Sequence, residues 1–286
     1  NAAVFSGITA NMYYVEGYFI EQFVKGEIGL LPSKDNKIGV IFDRAISKNV
    51  LNIHINTINA MKTVYGIDIT VYEITDETAG VEFFTTDSGI SSGCVKNPTT
   101  LKKAGQKLIK KGAQTIAVVC KFAEPPQDEY EKGNGVDIVG GVEAIISHYL
   151  SKELMCPCVH APAFEDVTID GNIVDEKVSA EYITPTFLPC LLTGLRNAPL
   201  IVKKENITPE CITYKNLHSV CVPYNALGSS VVLDCIEKDI PVYAILENKT
   251  VLNIDKTSIN KTIAIKEIAT YDDYINIIKE IEYEKS

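Results

Sequence analysis

The segment Cys156-Pro157-Cys158-Val159-His160 sets two thiols and an imidazole at alternate positions. In an extended chain, residues i, i+2 and i+4 share one face, so the three could converge on a zinc ion. The pattern lacks a fourth ligand: no second cysteine pair or HxxH motif accompanies it, and only Asp137 or His148 could complete the set. No metal is expected. His160, ahead of Ala161-Pro162, reads as a polar active-site residue following a strand or as a satisfied structural histidine. His148 falls late in a helical stretch, where it would complement the helix C-terminus; His54 and His218 read as structural.

Other chemistry-bearing residues sit where strands should end. In VPYNALGSSVVLDCI (222–236), Asn225 leads through Gly228 into Ser229 and Ser230 and then a helix. Gly228 permits a tight turn and a serine can cap the helix, leaving N–H groups for a phosphate or carboxylate. The same residues would serve an ordinary N-capped helix, and the loop is neither a Walker A nor a GxGxxG motif. Glu247, Asn248 and Thr250 follow the next strand and could bind a hydroxylated or amide-bearing ligand, or merely close a turn. Asp76 and Glu77 follow an earlier strand and lead into TTDSGISSGC (85–94), with Ser88 and Gly89, which reads as a lid rich in backbone donors or as a solvated loop. Nucleophile patterns are weak. There is no GxSxG elbow, and Cys120 and Cys190 invite comparison with two-thiol racemases by fold analogy alone.

The elements that must position these residues alternate. KIGVIFD (37–43), IDITVYEIT (67–75), TIAVVCKF (115–122), HSVCVPY (218–224) and PVYAILE (241–247) read as strands, and CPCVHAP (156–162) as a short extended piece. Between them lie helical stretches at 47–65, 98–111 (ending at Lys111-Gly112), 136–150, 184–196 (broken by Pro189), 229–238 and 271–283. Alternation of this kind predicts an α/β fold, a mostly parallel Rossmann-like layered sheet with helices on both faces. It forms one domain over 1–286, or two lobes, 1–150 and 151–286. Ligands in such sheets bind at the carboxyl ends of strands. The strands at 218–224 and 241–247, joined by one helix, are expected to be parallel and adjacent, which would bring Asn225–Ser230 beside Glu247. The loop is also expected to share a site with His160.

Composition bounds the remainder. With 286 residues, 46% apolar, the chain can build a substantial core. It carries 27 Lys+Arg against 37 Asp+Glu, a net charge of −10, which opposes nucleic-acid binding. No apolar run approaches the ~18 residues of a membrane helix, so no membrane partner is expected. Five of the eight cysteines (Cys120, Cys158, Cys190, Cys221, Cys235) lie in apolar stretches and read as reduced thiols of a reducing compartment. The sequons at Asn206, Asn248 and Asn260 read as chance matches, and the start, NAAVFSGITANMYYVEGY, reads as a processed or incomplete N-terminus.

Taken together, YVEGY…F..GE.GL.P…N.IG (14–39), TDE..GVE…..SG (75–89), NP..L (97–101), G.GVD…G.EA.ISH (133–148), P..HAPA (157–163), TFLPC.L.GL..AP (186–199), P….G.S.VL (223–233) and EN.T.L (247–252) resemble the DUF3326 family of cyanobacteria, other bacteria and plastid-bearing eukaryotes. The resemblance spans nearly the whole chain. It implies a Gly-rich segment preceding this sequence, a cytoplasmic or plastid-stromal protein, and no assigned activity. His160, His148, Asp137, Asp76, Glu77, Gly228, Glu247, Asn248 and Thr250 fall inside matched motifs; Cys94 and Cys156 fall where the family does not demand cysteine.

The resulting expectation is an enzyme acting on a small anionic or polar metabolite. Gly228, Ser229 and Ser230 would hold the anion, and His160 with Asp137, Glu77 or Glu247 would transfer protons. Asp76, Ser88, Gly89, Asn225, Asn248 and Thr250 would complete the ligand shell. A non-catalytic ligand sensor or assembly component is the alternative; the cofactor is unknown, and a homo-oligomer is compatible with the sequence. The charge balance predicts no submicromolar gel shift with DNA or RNA at ~150 mM salt.

Overall fold

A computed structural model describes residues 11–125, 129–169, 171–260 and 264–285. The first ten residues, and the Asn260 sequon beyond its first residue, lie outside these. The fold is mixed α/β and divides into two compact units. One comprises the chain up to Phe19, Leu30–Val202 and Thr208–Cys211; the other comprises Ile20–Gly29, Lys203–Ile207 and Ile212–Ser286. The units therefore do not divide at residue 150.

Helix α1 (Gly17–Lys25) and strand β1 (Ile28–Leu31) open the described chain. The first unit then runs β2 (Ile38–Phe42), α2 (Lys48–Tyr65), β3 (Ile69–Ile74), β4 (Val81–Thr85), β5 (Ser91–Val95), α3 (Pro98–Lys110), β6 (Thr115–Lys121), α4 (Gly140–Leu154), β7 (Cys158–Ala163), α5 (Ser179–Tyr182) and α6 (Leu188–Arg196). β3, β2, β6 and β7 form one sheet in that order, every pair parallel.

Alternate residues of these strands supply two separate cores, as the two-residue period of a strand requires. Val40 and Phe42, Ala117 and Val119, and Val159 and Ala161 pack with Val50, Ile58 and Met61 of α2 and Leu188, Leu191 and Leu195 of α6. Ile41, Ile116, Val118 and Cys158 pack instead with Leu101 and Leu108 of α3 and Val142, Ile146 and Leu150 of α4. Asp43 is buried where β2 ends. Its Oδ1 accepts the N–H groups of Ala45 (3.1 Å) and Ala79 (3.0 Å), and its Oδ2 that of Lys121 (3.3 Å), so one carboxylate ties together the chain around the ends of β2 and β6.

Two local expectations are corrected. Residues 85–94 are not a free loop or lid: they belong to an antiparallel hairpin of β4 and β5, with a turn at 86–90. Val81, Phe83 and Val95 pack against the core that holds α3 and α4, so a two-residue apolar period was present within a Ser/Thr/Gly-rich composition. Gly89, at φ 82°, donates to Thr86 O (2.9 Å) and closes the turn. Pro189 does not break a helix either. α6 begins at Leu188, so the proline occupies the first turn, where a missing N–H costs no hydrogen bond.

After β8 (Leu200–Lys203), which pairs with β1, come β9 (Val220–Pro223), α7 (Ser230–Glu237), β10 (Val242–Ile245), β11 (Ile265–Ile268) and α8 (Tyr271–Lys285). These last elements belong to the second unit, whose sheet runs β11-β10-β9, all parallel. β9 and β10 are adjacent and parallel, as the single-helix crossover predicts.

A Cβ on Gly93 would meet the Glu82 carbonyl and lie 2.6 Å from Val142 Cβ, so β5 approaches α4 as closely as backbone allows. Gly93→Ala should cost about 1–3 kcal/mol in urea unfolding. Substitution of its exposed neighbour, Cys94→Ala, should stay within about 0.5 kcal/mol. Equal effects would refute the packing argument.

Candidate functional site

The first unit contains a cavity of about 470 Å³ beyond the carboxyl ends of β6 and β7. β6 leads to Glu124 and Pro125; β7 contributes His160 and Pro162 and leads to Phe164 and Asp166; all line the cavity. Asp137, Gly140 and Glu143 line it from the start of α4, and Glu181 from α5. This is where ligands bind to parallel sheets.

His160 is the third residue of β7, opposite Val118 of β6. Strand alternation puts it on the face bearing Cys158, towards α4. On α4, Glu143 and Ser147 are four residues apart and so share a helical face. Ser147 Oγ lies 2.8 Å from His160 Nδ1, and Glu143 Oε1 lies 3.9 Å from His160 Nε2. The Ser147 hydroxyl donates to Ala144 O (3.3 Å), which leaves its oxygen to accept from Nδ1–H. This network assigns the proton to Nδ1 and the lone pair to Nε2, on the Glu143 side.

Burial sets the protonation of both groups. Loss of hydration pushes the Glu143 carboxyl up to about 8, with the negative charge of Asp137 adding to the effect. Loss of hydration pushes the His160 imidazole down to about 3. Near pH 7 they are therefore a neutral imidazole and a protonated carboxyl, not an ion pair, despite their separation. Burial also raises Asp137, against the lowering effect of the Val139 and Gly140 N–H groups, which donate to its Oδ1 at 3.1 and 3.2 Å. Glu181 is raised by burial and by Asp137, and its Oε2 accepts the Tyr130 hydroxyl at 3.0 Å. Tyr130 is itself held well above the usual phenol range, chiefly by burial.

His160 and Asp137 are thus brought to one cavity. None of the other sequence candidates is among the residues that line it. Asp76 pairs with Lys107 at 2.9 Å, which holds its carboxyl below the usual range. Glu77 receives Thr75 Oγ1–H on its carbonyl and donates its N–H to Thr100 Oγ1. Ser88 and Gly89 belong to the β4–β5 turn. Asn225, Gly228, Ser229, Ser230, Glu247, Asn248 and Thr250 all belong to the second unit, whereas every residue lining the cavity belongs to the first.

Within the second unit, Asn225 is buried. Its Nδ2 donates to Thr250 O (2.6 Å), and its Oδ1 accepts Thr250 N–H (2.8 Å). Ser229 Oγ accepts Val232 N–H and caps α7. A Cβ on Gly228 would lie 2.6 Å from Ile254 Cδ1, so packing against Ile254 already explains that glycine. Glu247 Oε1 accepts Tyr271 N–H (2.7 Å) at the start of α8, and Asn248 Nδ2 donates to the Tyr271 hydroxyl (2.7 Å).

The eight cysteines are free thiols. Cys156 and Cys158 bring their sulfurs to 3.9 Å, but the His160 ring engages Ser147 and faces Glu143 rather than converging with them. Among the described residues, no group of three His, Cys, Asp or Glu side chains could hold a metal. Neither Cys120 nor Cys190 lines the cavity. His148 lies 3.7 Å from Glu16 Oε1 in place of the helix-end role expected of it. Sequence reasoning missed Glu143, Ser147, Glu181 and Tyr130. The detectable signal was Glu143-x₃-Ser147-x₃-Ser151, polar residues at helical spacing, all buried, on the apolar face of α4.

The pair carries a signature in stability. An acid raised on folding contributes stability that is present below its unfolded pKa, near 4.5, and is lost as pH rises towards about 8. A base lowered on folding does the opposite between about 3 and 6.5. The two slopes oppose each other from 4.5 to 6.5, and above 6.5 Glu143 is the one member of the pair that contributes; Asp137 and Glu181, also raised by burial, slope the same way as Glu143. Unfolding free energy should fall by about 2 kcal/mol between pH 6.5 and 8, and Glu143→Gln should flatten that decline. An equally steep decline in the variant would show that Glu143 is not its source.

Over residues 1–282 the chain matches DUF3326, described as a protein of unknown function, and it belongs to that family. It is also similar to an uncharacterized lipoprotein of Synechococcus sp., 34% identical over 248 residues that cover 85% of this chain and 69% of the relative. Among the described residues, no helix is long and apolar enough to cross a membrane.

Proposed function

We propose that this member of the DUF3326 family is an enzyme that moves a proton within a small polar metabolite held in the cavity beyond β6 and β7. One observation carries the reading: within one cavity, His160 Nε2 and Glu143 Oε1 lie 3.9 Å apart and are driven in opposite directions by the same burial. Paired groups whose environments push their pKa values apart are the usual mark of an assigned base and acid.

In this reading the Nε2 lone pair takes a proton from the substrate while the Glu143 carboxyl gives one to the substrate oxygen that develops charge. The product is an isomer, with a C–H or O–H bond broken at one atom and formed at another. The resulting imidazolium then returns its proton to the Glu143 carboxylate, so the cycle needs no co-reactant. Ser147 positions the ring by holding Nδ1. Asp137 caps α4 and adds to the repulsion that keeps Glu143 protonated.

The first unit supports a Rossmann-like layering, with α2 and α6 on one face of the parallel sheet and α3 and α4 on the other. The site at the carboxyl ends of β6 and β7 agrees with it. The loop 225–230 is left out of the proposed site, because its residues serve α7, Thr250 and Ile254. The free, largely buried thiols favour a reducing compartment such as cytoplasm or stroma. A lipid anchor, as in the name of the Synechococcus relative, would instead place the chain at a membrane surface, and cell fractionation separates the two.

Incubation with a mixture of small polar metabolites in D2O tests the catalytic reading. The wild-type protein should place deuterium in one component or convert it to an isomer, as read by mass spectrometry. His160→Gln and Glu143→Gln should each slow this by about 10²–10⁴-fold. Binding of a component with neither exchange nor conversion would sink the catalytic reading and leave a sensor.

A further inference from the structure

The cavity's lining is one-sided in charge. Glu124, Glu131, Asp137, Asp166 and Glu181 all contribute, beside the protonated Glu143, while no lysine or arginine does so among the described residues. Tyr130, Phe164, Tyr182 and Phe187 supply aromatic surface to the same space. An anionic ligand would meet, among the described residues of this lining, no cationic side chain to offset its charge. A cation would be drawn in by the carboxylates and by the faces of the rings.

The histidine narrows the class further. His160 Nδ1 is engaged by Ser147, and Nε2 lies 3.9 Å from Glu143 Oε1, beyond hydrogen-bond distance. An acceptor so placed on a cavity wall calls for a ligand with an N–H or O–H to give. A quaternary ammonium could satisfy the rings and carboxylates but not Nε2. A primary ammonium satisfies all three, donating to the imidazole and to carboxylate oxygens while its carbon skeleton lies against the rings.

We infer that the cavity binds a small primary amine in its ammonium form, the charged group held among Asp137, Glu181 and His160 Nε2 and the carbon skeleton against Tyr130, Phe164 and Phe187. This deepens the proton-transfer reading, on which it rests, by naming the substrate class.

Three phenylalkyl probes of similar size test the charge: phenethylammonium, 3-phenyl-1-propanol and 3-phenylpropionate, with Mg²⁺ and phenethyltrimethylammonium as further arms. Each is titrated against the intact chain at ~150 mM salt and followed by thermal shift and ligand-observed NMR. Phenethylammonium should bind at least tenfold tighter than the alcohol, with no detectable binding of the propionate. Glu181→Gln should weaken the ammonium at least tenfold. It preserves side-chain shape and an oxygen to accept the Tyr130 hydroxyl, so its fold is checked by an unchanged melting temperature without ligand. His160→Gln should narrow the preference for the primary over the quaternary ammonium.

Equal binding of the ammonium and the alcohol would overturn the inference. So would preference for the propionate, stabilisation by Mg²⁺ alone, or an ammonium affinity indifferent to Glu181→Gln. The two readings fail separately. Ammonium binding without any deuterium exchange leaves this inference standing and removes catalysis. Turnover of a neutral or anionic metabolite leaves catalysis standing and removes this inference.

Discussion

Everything at the candidate site depends on α4 lying against β7, so that a carboxyl and an imidazole are taken out of water together. Burying an ionised carboxylate without a cation beside it costs several kcal/mol, and a protein avoids that by leaving the group protonated. Glu143 is buried near Asp137 and His160, and its carboxyl is pushed up to about 8. The same loss of hydration acts on His160 with the opposite sign, because its charged form is the protonated one. One packing arrangement thus yields a neutral base and a neutral acid side by side.

Much of the architecture was legible in the sequence because its periods were strong. TIAVVCK gives a strand buried on both faces, and the crossover from 220–223 to 242–245 gives parallel neighbours. His160 and Asp137 were legible as polar residues at strand and helix boundaries. Glu143 and Ser147 were not singled out, because a helix reads as amphipathic from its apolar residues and these two stand among them. The strand-end candidates Asn225, Glu247 and Asn248 show the converse. Their residue types suit a ligand, but partners 23 to 25 residues further on, Thr250 and Tyr271, occupy them, and no local pattern announces a hydrogen bond at that separation. The zinc reading of Cys156, Cys158 and His160 ran into a similar limit. Alternation decides which face a side chain takes, whereas the ring's partners come from α4, an element the motif does not contain.

The hairpin that composition disguised as a loop bears on the site through one serine hydroxyl and a close backbone approach. Ser91 Oγ accepts the Gly141 N–H at 2.8 Å and donates to Ile138 O at 2.9 Å, so the start of β5 is bonded on both sides to the turn that begins α4. A Cβ on Gly141 would strike the Ser91 carbonyl, and one on Gly140 would lie 2.9 Å from Asp137 Oδ2. Gly141 must therefore lack a side chain so that β5 can approach the helix, and at Gly140 a side chain would crowd the Asp137 carboxylate where it folds back onto the helix N-terminus. Asp137 and Glu143 sit on either side of this glycine pair. Their distance from β7 is set by how closely hairpin and helix meet, and the Gly140-Gly141 dipeptide thereby belongs to the placement of the acid as much as to the packing of the fold.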